Sequence, residues 1–351
     1  MILPEIIRSG QPHHFIGNSI LVSEGNSVSL IEADSFNKIG EIGYFDAGSV
    51  KNTVSRIDVF KRIGRLGFHK LRPFQEGIIG IQRGHIVFKA KDSKRFNPVF
   101  SHFRGSRPLD FLIHPEKEII YFGEYFGNEN REEVYIYSSS DLKKWEKAWV
   151  FKKGEIRHVH GIVWDEYRKG IWVYTGDLDE ESGIWFTDDD FKTLKKVTGG
   201  TQKARAVEII PTQTGLILPM DSPLEQNYIY HYNVNTQEYE NLSFLPGSAF
   251  HACISNGVYL ISTVTEPSEV NKVNYASVFA SLDGVNWKEL CRFQKDIFPV
   301  KFQFLTRYAE ISFPSGINNS DYIIGYAQAV KKYGGKMIYW QKMDVMDYLN
   351  N

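Results

Sequence analysis

Apolar side chains in this chain recur in short alternating or continuous runs, and no long segment repeats them at helical spacing. The runs are Ile78–Ile81, His85–Ala90, Glu118–Gly123, Val134–Ser138, Gly170–Thr175, Gly183–Thr187, Gly215–Pro219, Tyr228–Tyr232, Val258–Thr263, Ser277–Ser281, Tyr322–Tyr326 and Met337–Gln341. Gly, Asn, Asp, Ser and Pro separate them at strand-sized intervals. Strand side chains alternate between two faces and those five residues favour tight turns, so the pattern predicts an all-β chain.

A repeat lies over the strand pattern. Seven β-runs end in a polar turn, at Asp34, Asp92, Asp141, Asp189, Asn235, Asp283 and Asp344, with successive gaps of 58, 49, 48, 46, 48 and 61 residues. A period near 48 residues with about four short strands per unit is that of a β-propeller blade. The irregular first and last gaps fit closure with six or with seven four-stranded blades. No linker or low-complexity tract interrupts the chain, so residues 1–351 read as a single β-propeller domain.

Composition narrows the partners more than the fold. The 19 Tyr and 24 Phe suit half-buried pleated surfaces. With 41 basic against 42 acidic residues the net charge is −1, which leaves no electrostatic footprint for nucleic acid or an anionic membrane. No apolar run reaches the roughly 18 residues of a membrane-spanning helix. The N-terminus, Met-Ile-Leu-Pro-Glu-Ile-Ile-Arg-Ser-Gly, lacks a basic region followed by a long apolar stretch, so the chain reads as cytoplasmic. Cys253 and Cys291 are expected as free thiols. His13 and His14 read as part of a solvated tail, and the doublets Lys143-Lys144 and Lys195-Lys196 as solvated outer turns.

Three turns are the clearest: Tyr137-Ser-Ser-Ser-Asp141-Leu-Lys-Lys-Trp145, Phe186-Thr-Asp-Asp-Asp-Phe-Lys-Thr-Leu194 and Ala280-Ser-Leu-Asp283-Gly-Val-Asn-Trp287. They resemble the Asp box, S-x-D-x-G-x-x-W, of the sialidase-like β-propeller superfamily. The spacing departs from that form, since Asp141 and Asp283 precede their Trp by four residues, and Leu194 stands in place of a third Trp. The resemblance implies a structural box: Ser139, Asp141, Ser281 and Asp283 satisfy the turn backbone, and Trp145 and Trp287 pack between outer strands. Bacterial glycosidase-like proteins are similar around Arg157-His-Val-His-Gly161 and Thr175-Gly-Asp177. Carbohydrate is thus the implied ligand and glycosidic cleavage the implied activity. The F-R-I-P arginine motif of true sialidases is missing; its nearest counterpart is Phe68-His-Lys-Leu-Arg72-Pro73. Arg107, Arg205 and Arg307 supply a candidate arginine cluster, with Tyr308 and Glu310 nearby in sequence to the last.

Propeller geometry converts the repeat into a site. The start of each innermost strand and the end of the strand after it open on the same face, around the central channel. Aligned units give strand starts at Arg107–Asp110, Arg157–His160, Lys203–Arg205, Phe250-His251 and Arg307–Glu310, and strand ends at Glu124-Tyr125, Thr175–Asp177, Met220–Ser222 and Thr265-Glu266. Four units repeat a base followed 15 to 17 residues later by an acid: Arg107/Glu124, His160/Asp177, Arg205/Asp221 and His251/Glu266. Such a ring is either a ligand pocket or a salt-bridged collar around a wet channel.

Read as a pocket, its catalytic candidates are His158, His160, Asp177, Asp221 and Glu124. Its substrate-binding candidates are Arg107, Arg157, Arg205, His251, Glu266, Arg307 and Tyr125. Arginine forks suit the carboxylate of an acidic sugar, and His or carboxylate groups suit acid/base work. His158 and His160 share a strand face and could ligate a metal, yet no Cys/His/Asp spacing completes a known motif, so no metal and no cofactor are expected. Neither a phosphate-binding glycine loop nor a G-x-S-x-G elbow occurs. Three functions follow: a glycoside hydrolase whose paired carboxylates flank the bond, a polysaccharide lyase with a His base, Tyr125 as acid and Arg205 on the uronate, and a non-catalytic glycan-binding or polysaccharide-assembly module.

Overall fold

The computed structural model describes residues 1–48, 66–298 and 307–351. Strand β1 (Glu5–Ser9) opens the chain. The first unit is β2 (Gln11–Ile16), β3 (Ser19–Glu24), β4 (Ser27–Glu32) and β5 (Lys38–Phe45), and the second β6 (Lys70–Phe74), β7 (Gly77–Gln82), β8 (His85–Ala90) and β9 (Arg95–Phe100). The third holds β10 (Leu112–Ile113), β11 (Ile120–Gly123), β12 (Val134–Ser139) and β13 (Glu146–Phe151), the fourth β14 (His158–Asp165), β15 (Gly170–Gly176), β16 (Gly183–Thr187) and β17 (Lys195–Gly199). The fifth holds β18 (Ile210–Pro211), β19 (Gly215–Pro219), β20 (Asn227–Asn233) and β21 (Glu238–Leu245), the sixth β22 (Ala249–Ser255), β23 (Val258–Thr263), β24 (Tyr275–Ser281) and β25 (Lys288–Gln294). In the last, β26 (Glu310–Ser312), β27 (Tyr322–Gln328) and β28 (Lys336–Gln341) are completed by β1, and helix α1 (Lys342–Asn350) follows.

Each unit is a four-stranded antiparallel meander, so the described residues form a β-propeller of seven blades. The ring closes because β1 pairs antiparallel with β28 (Glu5 opposite Tyr339), tying the two ends of the chain into one sheet. The outer strands β5 and β9 also make a short parallel contact, Tyr44 opposite Arg95 and Phe45 opposite Phe96, which joins the first two blades.

Apolar clusters sit between successive blades. Leu21 and Val28 of the first blade meet Leu71, Ile78 and Val87 of the second. At the closing seam Phe15, Ile20 and Val22 meet Ile324 and Met337. Every blade is thus covered on both faces, which is why middle strands such as β15 are buried along their whole length. Cys253 and Cys291 are unpaired, as their apolar settings suggest. Among the described residues no helix is long and apolar enough to cross a membrane.

The polar turns occupy the expected links between third and fourth strands in six blades. Ser281 Oγ accepts from Gly284 N (2.9 Å) and donates to Asp283 Oδ1 (2.9 Å), and Asp283 Oδ1 accepts from Val285 N and Asn286 N. Ser139 and Asp141 repeat this around Leu142, Lys143 and Lys144, and Thr187 and Asp189 do so around Phe191 and Thr193. Asp344 departs from the expectation: it lies in the first turn of α1. The seventh blade takes its fourth strand from the N-terminus, so no such turn exists there, and the last gap of the repeat is irregular for that reason.

Candidate functional site

His158 and His160 open β14, where a β-bulge breaks the register between Val159 and Gly161 and leaves His160 as the extra residue. Val159 packs into the core between the third and fourth blades while the two imidazoles turn to the channel mouth. Their Nε2 atoms lie 3.2 Å apart, and each is 3.3 Å from Asp177 Oδ1, which follows β15. His158 Nδ1 lies 3.0 Å from Phe126 O and His160 Nδ1 2.8 Å from Ala206 O. Carbonyl oxygens only accept, so both Nδ1 atoms carry a proton, and both Nε2 atoms face Asp177. Gly176 is required here, since a Cβ at that position would lie 2.6 Å from His160 Cε1.

Asp177 is the hub. Arg157 Nη1 meets its Oδ2 at 2.9 Å, Arg205 Nη2 approaches its Oδ1 at 3.4 Å, and Arg205 Nη1 donates to its backbone carbonyl at 2.9 Å. Burial pushes this carboxyl up, but the two histidines outweigh it and hold it far below the usual range. Glu181, buried and paired with Arg131, accepts from the Asp177 and Leu178 amides and fixes the loop.

Arg205 continues the cluster to Asp221, with Nε 3.3 Å from Oδ2. Asp221 is only 3% exposed and its Oδ1 is a buried acceptor with no hydrogen-bond partner. Glu266 takes a hydrogen bond from Ser248 Oγ at 2.9 Å. Burial first, and the nearby Asp221 charge second, raise its pKa to about 7. The Tyr125 ring lies over His158 with centroids 4.3 Å apart. Burial, then the charges of Asp177, Asp221 and Glu266, raise its phenol well above the usual range, so it stays protonated. His158 is shifted down, chiefly by burial.

The anticipated basic–acidic ring therefore divides in two. His158, His160, Asp177, Arg157, Arg205, Asp221, Glu266 and Tyr125 come together at the mouth. A second network crosses the channel, where Lys70 Nζ lies 3.4 Å from both Asp110 and Glu208, and Arg72 pairs with Asp110 at 2.7 Å. His251 belongs to this collar, between Glu208 (3.8 Å) and Glu310 (3.4 Å), and not with Glu266. Arg107 and Arg307 exert their charge on His69 and Glu310, placing them in the collar as well. Glu124 is paired with Arg104 instead of Arg107, and also accepts the amides of Arg104 and Tyr135.

Lys70, Arg104 and Glu208 escaped the sequence alignment. Lys70-Leu-Arg72 heads the inner strand of the second blade, but the longer first gap put that blade out of phase. His13 and His14 are not a solvated tail: both lie on the inner strand β2, where His13 Nε2 bonds Ser23 Oγ at 2.7 Å and His14 Nδ1 bonds Ser315 Oγ at 2.8 Å. A groove of about 400 Å³ over Ser23, Glu24 and Tyr326, at the seam of the first and seventh blades, shares no residue with the mouth cluster.

No family model matches the sequence, and no curated protein matches it. Solved structures do. The mitotic checkpoint complex aligns over 97% of this chain and 92% of the matched chain, at 9% identity with a TM-score of 0.54. The Pan2 WD40 domain of Neurospora crassa aligns over 95% and 89%, at 10% identity and 0.51. The dihydro-heme d1 dehydrogenase NirN in complex with DHE aligns over 93% and 65%, at 13% identity and 0.52. The chain is a β-propeller. At these identities the likeness concerns the fold alone.

Proposed function

We propose that this propeller is a sialidase-like, carbohydrate-active protein that hydrolyses a glycosidic bond in an oligosaccharide or polysaccharide carrying acidic sugars. The observation that carries the reaction is the Asp221–Glu266 pair beside Arg205. Glu266, raised to about 7 by burial and the nearby Asp221 charge, suits the proton donor, and Asp221, held by Arg205, serves as base or nucleophile. Arg205 and Arg157 supply cations for a substrate carboxylate, and Tyr125 an aromatic face for a sugar ring. The serine–aspartate turns support the superfamily resemblance, which brings carbohydrate as the substrate class. Glu124 is ion-paired with Arg104.

Tyr125 over His158 favours a second reading, lyase chemistry, with a neutral imidazole as base and a protonated phenol as acid against a uronate held by Arg205. Incubation with a panel of neutral, sialylated and uronate-containing oligosaccharides separates these. Hydrolysis releases reducing ends without ultraviolet absorption, whereas elimination creates an absorbing double bond. Glu266→Gln abolishes hydrolysis while retaining binding; glycan binding without product formation in the parent protein would leave a binding or assembly module.

A further inference from the structure

We infer that His158, His160 and Asp177 bind one divalent transition-metal ion, zinc foremost, at the channel mouth. Three lone-pair atoms, two imidazole nitrogens and a carboxylate oxygen, form a nearly equilateral triangle with edges of 3.2, 3.3 and 3.3 Å. With each Nδ1 turned to a backbone carbonyl, both Nε2 atoms face the carboxylate oxygen, so three ligand atoms surround one point. A zinc ion with bonds of about 2.0–2.1 Å and tetrahedral angles spaces its ligands by about 3.3–3.4 Å, which matches the triangle.

The surroundings fit a metal site as well. Each imidazole donates its other nitrogen to a backbone carbonyl, the arrangement that fixes the tautomer and orientation of metal-bound histidines. Two imidazoles with one carboxylate select zinc or another first-row transition ion over calcium or magnesium, which prefer all-oxygen shells. Arg205 approaches Asp177 Oδ1 at 3.4 Å, but a carboxylate oxygen carries two lone pairs and can serve both cations. Asp221 Oδ1, buried without a partner in the same cluster, adds a surplus of negative charge that a dication offsets. Three protein ligands leave a fourth position for water or a substrate oxygen, the pattern of catalytic and not structural zinc. This inference stands apart from the proposed hydrolysis, because its readouts need no substrate.

The test uses the full chain after dialysis against a chelator, titrated with zinc by calorimetry and with cobalt by visible absorption. One equivalent of zinc binds and raises the unfolding midpoint, and cobalt produces a visible band. Asp177→Asn and His158→Ala each weaken zinc by at least the roughly 10- to 100-fold that loss of an outer-sphere partner alone costs, and the cobalt band disappears. His251→Gln, in the collar, keeps both signals. Far-ultraviolet circular dichroism identifies any variant that fails to fold, and His160→Gln then replaces it. Absence of stoichiometric zinc binding by the parent protein would overturn the inference, with a shared proton occupying the triangle instead. Equal affinity in folded Asp177→Asn and His158→Ala overturns it as well.

Discussion

Removing the ammonium of Lys70 isolates the energetic weight of the collar. Lys70 bridges Asp110 and Glu208 at 3.4 Å each, with about a fifth of each side chain exposed to water (22%, 20% and 22%). Burial pushes Glu208 up, but Lys70, His251 and the Ala252 amide together bring its pKa down to about 2. In Lys70→Met that carboxylate loses its main counter-charge in a largely buried network. Breaking a buried pair costs about 3–5 kcal/mol; partial exposure, and the remaining Arg72 and His251, reduce this to roughly 2–3 kcal/mol. Unfolding entropy of about 2.1 cal/mol/K per residue over 351 residues gives about 0.7 kcal/mol/K, so the midpoint falls by roughly 3–4 °C. A carboxyl depressed in the folded state contributes stability above its unfolded value, near 4.5, and loses it as pH falls through about 2. The deficit of the variant is therefore full at pH 7 and narrows from pH 4.5 downward. Calorimetric melts of both proteins at pH 7 and pH 3.5 read this directly. An unchanged midpoint at pH 7, or a deficit of the same size at both pH values, would refute the electrostatic account of the collar.

Glu266 carries the opposite sign. Its folded pKa of about 7 means stability that is present below pH 4.5 and lost as pH rises through 7, so Glu266→Gln gains on the parent between pH 5 and pH 8; parallel melting curves across that range would count against the assignment. Gly176→Ala drives a Cβ to 2.6 Å from His160 Cε1, so ligand or metal binding drops by at least about tenfold while the circular dichroism spectrum is retained. Ser281→Ala removes a buried hydroxyl that accepts the Gly284 amide and donates to Asp283, costing about 1–2 kcal/mol in thermal melts with binding at the channel mouth unaltered.

Periodicity alone determined the repeating strand-and-turn unit. Alternating apolar runs and Ser/Asp turns act through neighbours a few residues away, so strands such as Gly170–Gly176 and Tyr275–Ser281 and the turns at Asp141, Asp189 and Asp283 are legible without a structure. The same phase placed Arg157, His158, His160, Asp177, Arg205, Asp221, Tyr125 and Glu266 around one channel. It could not assign partners. Glu124 took Arg104, three residues before the expected Arg107, and His251 took Glu208 and Glu310 from neighbouring blades, because loop paths and blade packing, not spacing along the chain, choose the partner. The number of blades was likewise a tertiary decision: only the pairing of Glu5–Ser9 with Lys336–Gln341 supplies the seventh blade's missing strand. The triangle of His158, His160 and Asp177 depends on the bulge at His160, on Gly176 and on two carbonyls from other segments. Distances of a few tenths of an ångström decide whether three ligand atoms can hold an ion, and only the packed ring of blades fixes distances that finely.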